Sequence, residues 1–267
     1  MTAPELVLVE QIGTTCLITL NRAEARNALS RSLNGQLIAA VTSADADPAT
    51  AVILLTGAGG AFCAGMDLKE LAEHGFTGAE RAENCIDRVA ACRTPVIGLV
   101  DGPAVTGGLE LALACDFLIA SENARFADTH SRVGIVPGGG LTARLAQAVG
   151  VRRARQLSGT GQYLDARTAA EWGLVNAVVP AAELRDRGLA VADGLAAADA
   201  ATLTEVWALY DSISTQQTSP AIDREAEINK SWAAAAAAMA AAAAAQDLLI
   251  SASRSIAGEV CCVEIES

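Results

Sequence analysis

Two glycine-rich turns in this sequence offer main-chain amides to an anionic oxygen. The first turn, residues 57–65, follows an apolar stretch and leads to Met66, and the second brings Gly107 to the start of a helical segment. Amides at a helix start have no acceptor within the helix and lie at its positive end, so they attract oxyanions. Glu110 follows Gly107 by three residues, which places a carboxylate beside the second turn. This combination suits a reaction that develops negative charge on an oxygen atom.

Glu110 has two interpretations on pattern alone. An acid in the first turn of a helix complements the helix dipole and needs no further role. The neighbours of Glu110 are nevertheless apolar on nearly every side, namely Leu109, Leu111, Ala112, Leu113 and Ala114. They predict that Glu110 is buried, and a buried glutamate is unusual without a task. Glu110 is therefore a candidate functional group.

The segments that must position these residues alternate between strands and helices. Apolar, β-rich stretches predict strands at residues 15–20, 52–56, 96–100 and 117–120. Ser30 precedes apolar residues at helical spacing, and Gly107 opens a helix that runs through Cys115. Asp165 caps a further helix, which stops at Gly173. The alternation predicts an α/β fold.

The C-terminal part of the chain is predicted to be helical. We expect a core over residues 1–195 and a C-terminal helical region with a tail over residues 196–267. An apolar stripe at helical spacing in this region indicates core or subunit contact rather than a cofactor site; it comprises Leu203, Val206, Trp207, Leu209 and Tyr210. The run 233–245 is twelve alanines around Met239, which predicts a surface or interface helix unless the alanines stand for trimmed side chains. No role is assigned to residues 256–267.

Composition excludes several classes of protein. With 52% hydrophobic and 19% charged residues the chain has globular composition, and its net charge of −12 would repel nucleic acid. The alanine run is too short to span a membrane. Seven cysteines without a Cys-x-x-Cys pair, and a start that carries acids and no basic apolar leader, favour a reduced cytoplasmic setting. Two histidines and no clustered cysteines predict no metal site.

Three common nucleotide and hydrolase motifs are absent from the sequence. Gly60 and Gly65 have the spacing of a phosphate-binding loop, but Met66 stands at the lysine position. The segment 57–59 is a Gly-x-Gly after a strand, but Phe62 breaks the dinucleotide fingerprint. No Gly-x-Ser-x-Gly elbow occurs, which argues against the usual serine hydrolase.

Several motifs, in the same order along the chain, resemble the enoyl-CoA hydratase (crotonase) family. They are Leu20-Asn21-Arg22, Asn27-Ala28-Leu29, residues 62–68, 94–97 and 101–112, Cys115-Asp116, residues 134–138, Arg144-Leu145 and residues 169–175. The resemblance covers roughly Thr15 to Pro180, and linked motifs in order are more specific than any one alone. It implies a crotonase-type ββα spiral, coenzyme A thioester substrates, and trimers that pair into hexamers, with the C-terminal helical region involved in trimerisation.

The resemblance also implies roles for individual residues. The main-chain N–H groups of Met66 and Gly107 would form the oxyanion hole for the thioester oxygen, in agreement with the two turns above, and each such donor is typically worth about 3 kcal/mol of barrier. The positions implied near substrate and coenzyme A are Arg26, Ala28, Ala64, Met66, Asp67, Leu68, Lys69 and Gly107. Arg26 and Lys69 either meet phosphate or are solvated surface cations.

The sequence departs from the family pattern at one catalytic position. Hydratases of the family hold the attacking water with two glutamates, and Glu110 matches the first. The second lies seven residues before the Pro-Gly that residues 137–138 match, and here that residue is His130. Imidazole exchanges protons near neutral pH, so His130 is a candidate general acid, the alternative being a satisfied polar residue near the pocket. Asp128 either orients His130 or faces away.

The resulting expectation is reversible addition of water to a trans-2-enoyl-CoA, a reaction of fatty acid metabolism. Glu110 would activate the water, the amides of Met66 and Gly107 would hold the enolate, and His130 would deliver the α-proton. Isomerisation is disfavoured, because isomerases of the family typically carry a carboxylate at the second position. A hydrolase or lyase of a specialised acyl-CoA and a non-catalytic acyl-CoA-binding paralogue stay open, with a dehydrogenase as a distant third. No separate cofactor is expected, since coenzyme A is part of the substrate.

Overall fold

The computed structural model describes residues 4–74, 84–210, 212 and 219–229. The strands are β1 (Val7–Ile12), β2 (Thr15–Leu20), β3 (Val52–Gly57), β4 (Val96–Val100), β5 (Pro103–Val105), β6 (Phe117–Ser121), β7 (Arg125–Ala127), β8 (Leu164–Asp165) and β9 (Ala177–Val179). The helices are α1 (Arg31–Ala46), α2 (Leu68–His74), α3 (Cys85–Ala90), α4 (Gly107–Leu113), α5 (His130–Val133), α6 (Leu141–Val149), α7 (Val151–Thr160), α8 (Ala166–Trp172) and α9 (Leu184–Ala196). Residues 200–210 and 219–229 are also helical.

A six-stranded sheet in the order β1-β2-β3-β4-β6-β9 forms the centre of the molecule. Only the β1–β2 pair is antiparallel, and the remaining neighbours are parallel. A second sheet has the order β5-β7-β8. Because β4 and β5 follow one another, the chain passes from the large sheet to the small one just before α4, the helix that carries Glu110.

Both faces of the large sheet are covered, which is why β3 begins with a continuous apolar run over residues 52–55 rather than an alternating pattern. Ile53 and Leu55 belong to one cluster of buried side chains, together with Leu33 and Leu37 of α1. Leu54 belongs to a second cluster on the opposite face, where α9 packs. The sheet therefore forms a rigid centre from which the site loops extend.

Several local predictions are confirmed. The strands predicted at residues 15–20 and 96–100 have these bounds, and those at 52–56 and 117–120 are each one residue longer. The Ser30 hydroxyl accepts a hydrogen bond from the Leu33 amide at 3.2 Å and begins α1. The Asp165 carboxylate accepts from the Thr168 amide at 2.7 Å, and α8 ends at Gly173 in the left-handed conformation.

The helix that starts at Gly107 is shorter than predicted. It ends at Leu113 instead of continuing through Cys115, because the Asp116 amide already bonds to the Val96 carbonyl and directs the chain into β6. The division at residue 195 stays a prediction. The alanine run 233–245 and the tail 256–267 lie outside the described residues. No helix within the described ranges combines the length and apolar character needed to cross a bilayer.

Candidate active site

The two amides predicted to bind an oxyanion lie side by side. A Cβ atom added to Gly107 would lie 3.4 Å from the Met66 nitrogen, and one added to Gly65 would lie 3.2 Å from the Gly107 nitrogen. Among the described residues, neither the Met66 amide nor the Gly107 amide has a hydrogen-bond acceptor. Two adjacent amides without a partner are the donors that a developing oxyanion requires.

The Met66 amide is not held in the way the sequence predicted. α2 begins at Leu68, and the Asp67 carboxylate caps it by accepting from the amide of Lys69 at 3.0 Å. Met66 instead forms an isolated parallel bridge with Leu29, next to a bond of 2.7 Å from the Leu29 amide to the Gly65 carbonyl. The expectation that this amide lies at a helix start is therefore wrong, since strand-like pairing positions it.

The turn before Gly107 is held in an unusual backbone conformation. Thr106 has φ +56° and ψ −115°, a region that costs a residue with a side chain about 1–3 kcal/mol. Its amide donates to the Ala127 carbonyl at 2.9 Å, and its hydroxyl lies 2.7 Å from the Thr129 hydroxyl. These contacts fix the Gly107 amide relative to β7 and to the start of α5.

Glu110 is buried on α4, as predicted, with 4% of its surface exposed. Its Oε1 atom accepts hydrogen bonds from the amides of Gly139 at 2.8 Å and Gly138 at 3.3 Å. Burial raises the pKa of Glu110 to about 7, although the charge of His130 and the Gly139 amide act in the opposite direction. A group with a pKa close to neutrality can exchange a proton in each reaction cycle.

His130 lies opposite the second oxygen of this carboxylate. Its Nε2 atom is 3.9 Å from Oε2 of Glu110, and its Nδ1 atom is 2.7 Å from Oδ1 of Asp128. Burial alone would raise the pKa of Asp128, but hydrogen bonds from His130 and Ser158 outweigh it, and this pKa lies below its usual range. The ionised Asp128 accepts a hydrogen bond from the Nδ1–H group of His130, which directs Nε2 towards Glu110. Of the two alternatives for Asp128, orienting His130 or facing away from it, the structure therefore shows the first.

The residues implied near coenzyme A lie in two segments that contact each other. The Ala64 amide donates to the Arg26 carbonyl at 3.0 Å, and the Asp67 amide donates to the Leu29 carbonyl at 3.2 Å. The Asp67 carboxylate forms an ion pair with Arg22 at 2.6 Å and is thus already engaged by the protein. The other positions are partly buried or exposed at the surface of these segments: Ala28, Ala64, Met66, Leu68, Lys69 and Arg26.

Sequence reasoning missed the residues that hold Glu110. The run Pro137-Gly138-Gly139-Gly140, here called the glycine loop, indicated only that a helix follows, although its amides bind the carboxylate. Gly139 is required there, since a Cβ atom would lie 3.0 Å from Cδ of Glu110. Glu225, whose carboxylate bonds to the end of this loop, had no local signal because it lies 85 residues away in the sequence.

Comparison with known proteins identifies the family of the chain. A family model described as enoyl-CoA hydratase/isomerase matches residues 10–243. The chain belongs to the enoyl-CoA hydratase/isomerase family. A probable enoyl-CoA hydratase of Rhizobium meliloti is 42% identical over 194 residues, which are 72% of this chain and 76% of that protein. A probable enoyl-CoA hydratase of Mycobacterium tuberculosis is 41% identical over 190 residues, 70% of this chain and 74% of that protein.

Solved structures confirm the crotonase fold class. The crystal structure of an enoyl-CoA hydratase from Mycobacterium tuberculosis H37Rv superimposes with a TM-score of 0.78 at 43% identity, covering 85% of this chain and 98% of that one. A structure of the enzyme from Mycobacterium avium gives 0.79 at 42% identity, with 86% and 98% covered. The mixed α/β architecture with a C-terminal helical region is thus that of enoyl-CoA hydratases.

Proposed function

We propose that this enoyl-CoA hydratase family member adds water reversibly to trans-2-enoyl-CoA thioesters. The proposal rests on the different surroundings of the two oxygen atoms of the Glu110 carboxylate. Oε1 is occupied by two glycine-loop amides, whereas Oε2 faces His130 across 3.9 Å. Oε1 is therefore fixed by hydrogen bonds, and Oε2 is available to take part in the reaction. A carboxylate held in this way is pre-organised to receive a proton from a water molecule.

The oxyanion hole acts on the thioester carbonyl. When hydroxide character develops at the attacking water and a bond forms to the β-carbon, the electron pair of the double bond moves through the α-carbon to the carbonyl oxygen. The unpartnered amides of Met66 and Gly107 stabilise this enolate oxygen. Removal of either donor by a backbone change would raise the barrier by about 3 kcal/mol.

Two proton transfers complete the addition. Glu110 takes a proton from water as the oxygen attacks, and protonated His130 gives its Nε2 proton to the α-carbon. At the end of the reaction Glu110 is protonated and His130 is neutral. Return of the proton from Glu110 to His130 restores the starting state, and it requires Oε2 and Nε2 to approach from 3.9 Å to hydrogen-bond distance. Asp128 stabilises the protonated imidazole in this cycle.

Substrate binding is proposed for the two segments around Arg26 and Lys69. Both side chains are exposed, and each can meet a phosphate of coenzyme A. Coenzyme A enters as part of the substrate, and the proposed reaction needs no separate cofactor and no metal.

Assembly and location are part of the same proposal. Leu209 and Tyr210 are 66% and 69% exposed on helix 200–210, and an apolar surface of this kind supports contact with a second subunit. We expect a homotrimer or a dimer of trimers. The five described cysteines are free thiols, which supports a reducing cytoplasmic location.

The direct test is hydration of crotonyl-CoA, followed by loss of the conjugated enoyl absorbance, with parallel measurement of free coenzyme A. The parent protein is expected to hydrate the substrate without releasing the thiol. Glu110→Gln is expected to abolish hydration while acyl-CoA binding persists. Release of free coenzyme A would instead favour a hydrolase or lyase, and tight binding without any turnover across a panel of acyl-CoA thioesters would favour a non-catalytic paralogue.

A further inference from the structure

A second buried carboxylate lies at the far end of the glycine loop. Glu225 belongs to helical segment 219–229 and is 4% exposed. Its Oε1 atom accepts a hydrogen bond from the Gly140 amide at 2.6 Å, and its Oε2 atom accepts one from the Thr142 amide at 2.9 Å and another from the Thr142 hydroxyl. The carboxylate thereby caps the amino end of α6 from outside that helix.

The glycine loop is therefore held between two acids. Gly138 and Gly139 donate to Glu110, while the next amide, that of Gly140, donates to Glu225. The Gly139 and Gly140 amides belong to consecutive peptide units joined at the Gly139 Cα atom, so the position of the Gly140 amide limits where the Gly139 amide can lie. Fixing one end of the loop on Glu225 thus fixes the donors that hold Glu110 at the other end.

Two further contacts hold the glycine loop and the residue before it. The Asn229 side-chain amide, one helical turn beyond Glu225, donates to the Val136 carbonyl. The Arg144 guanidinium donates to the Gly139 carbonyl at 2.5 Å. The loop contains three glycines in a row and lacks side chains of its own to define its path, so these outside contacts determine its conformation.

We propose that Glu225 is a positioning residue for Glu110, acting through the glycine loop so that Oε1 stays occupied and Oε2 faces the reacting water and His130. This inference rests on the proposed hydration reaction, which it deepens. It assigns segment 219–229 a part in catalysis without contact to the substrate. A displacement of a catalytic group by about 1 Å costs as much as 100-fold in rate, so loss of the Glu225 bonds should be visible in turnover.

Charge provides an independent readout of the same contact. The negative charge of Glu225 contributes to the raised pKa of Glu110, behind the larger effect of burial. Within the described part of the chain, the other charged groups around Glu110 are His130 on α5 with Asp128 behind it, and Arg144 on α6 with Asp87 of α3 near it. Removing only the charge of Glu225 should therefore lower the pKa of Glu110.

The test variant is Glu225→Gln, which keeps the side-chain size but replaces one acceptor oxygen with a donor. We expect kcat for crotonyl-CoA hydration to fall by about 10- to 100-fold, with KM changed less than about threefold, and the acid limb of the pH profile to move to lower pH. Thr142→Val removes one donor to Glu225 without altering the acid, and a smaller fall in kcat of about three- to tenfold is expected.

Asp165→Asn is the matched control, because it also removes a helix-capping carboxylate, but Asp165 precedes α8 and accepts its capping hydrogen bond from the Thr168 amide rather than from the glycine loop. It should leave kcat and the pH profile at parent values. If Glu225→Gln lowers thermal stability as Asp165→Asn does but leaves kcat and the acid limb unchanged, Glu225 is only a helix cap and the proposal is overturned.

A spectroscopic titration separates this proposal from the hydration reaction itself. The carbonyl stretch of protonated Glu110 is identified by its absence in Glu110→Gln, and its pH midpoint is compared in the parent and in Glu225→Gln. A lower midpoint in Glu225→Gln supports the coupling even if the parent hydrates no enoyl-CoA, in which case only the reaction assignment fails. An unchanged midpoint overturns the coupling whatever the activity.

Discussion

Glu110→Gln should separate the stability of this protein from its activity. Burial of the Glu110 carboxylate raises its pKa from the ordinary value of 4.5 to about 7. Each pKa unit corresponds to about 1.4 kcal/mol, so ionisation of Glu110 lowers the free energy of unfolding by about 3 kcal/mol. Glutamine has nearly the same shape, offers Oε1 to the amides of Gly138 and Gly139, and carries no charge. The variant should therefore escape this cost.

The direction of the effect follows from proton linkage. Because the folded state binds the Glu110 proton more tightly than the unfolded state, its stabilising contribution is complete below pH 4.5 and disappears as the pH rises through about 7. Between pH 4 and pH 8, the stability of Glu110→Gln relative to the parent should thus rise by about 3 kcal/mol. At pH 8, where Glu110 of the parent is ionised, hydration of crotonyl-CoA by the variant should be lower than in the parent by about 10²- to 10⁴-fold.

Equilibrium urea unfolding, followed by circular dichroism at a fixed protein concentration, measures this difference. Glu171→Gln makes the same substitution at an exposed position of α8 and should follow the pH dependence of the parent. A stability difference between Glu110→Gln and the parent that is constant from pH 4 to pH 8, or that shrinks as the pH rises, would refute the reasoning about burial.

Three further outcomes are expected. His130→Ala should lower kcat for crotonyl-CoA by about 10²- to 10⁴-fold. Turnover equal to that of the parent would show that His130 has only a structural role. Asp128→Asn should lower kcat for crotonyl-CoA, because it removes the carboxylate that orients the His130 ring through Nδ1; a kcat equal to that of the parent would contradict the orienting role. Thr106→Val loses the hydrogen bond to Thr129, and urea unfolding should show a free energy of unfolding lower by about 1 kcal/mol. Its kcat should also fall, because this contact helps to fix the Gly107 amide; an unchanged kcat would limit Thr106 to a role in stability.

Much of the local structure could be predicted because its causes lie within a few residues. Ser30 begins α1 through a bond to an amide three residues on, and Gly173 ends α8 by adopting a conformation that glycine tolerates. The strands β2 and β4 are visible as short stretches rich in apolar and β-branched residues. By contrast, the strands β5 and β7–β9 contain only two or three residues, too few for any periodicity to appear.

The amino-acid sequence by itself determined the chemical inventory of this protein: an acid at Glu110 among apolar neighbours, an imidazole at His130, and glycine turns able to expose amides. Tertiary structure alone decided that the amides of Met66 and Gly107 are adjacent, that Asp128 orients His130, and that Glu225 holds the glycine loop. The physical reason is that hydrogen bonds act over about 3 Å in space. Which distant residues come within that range depends on sheet order and helix packing, which no local pattern encodes.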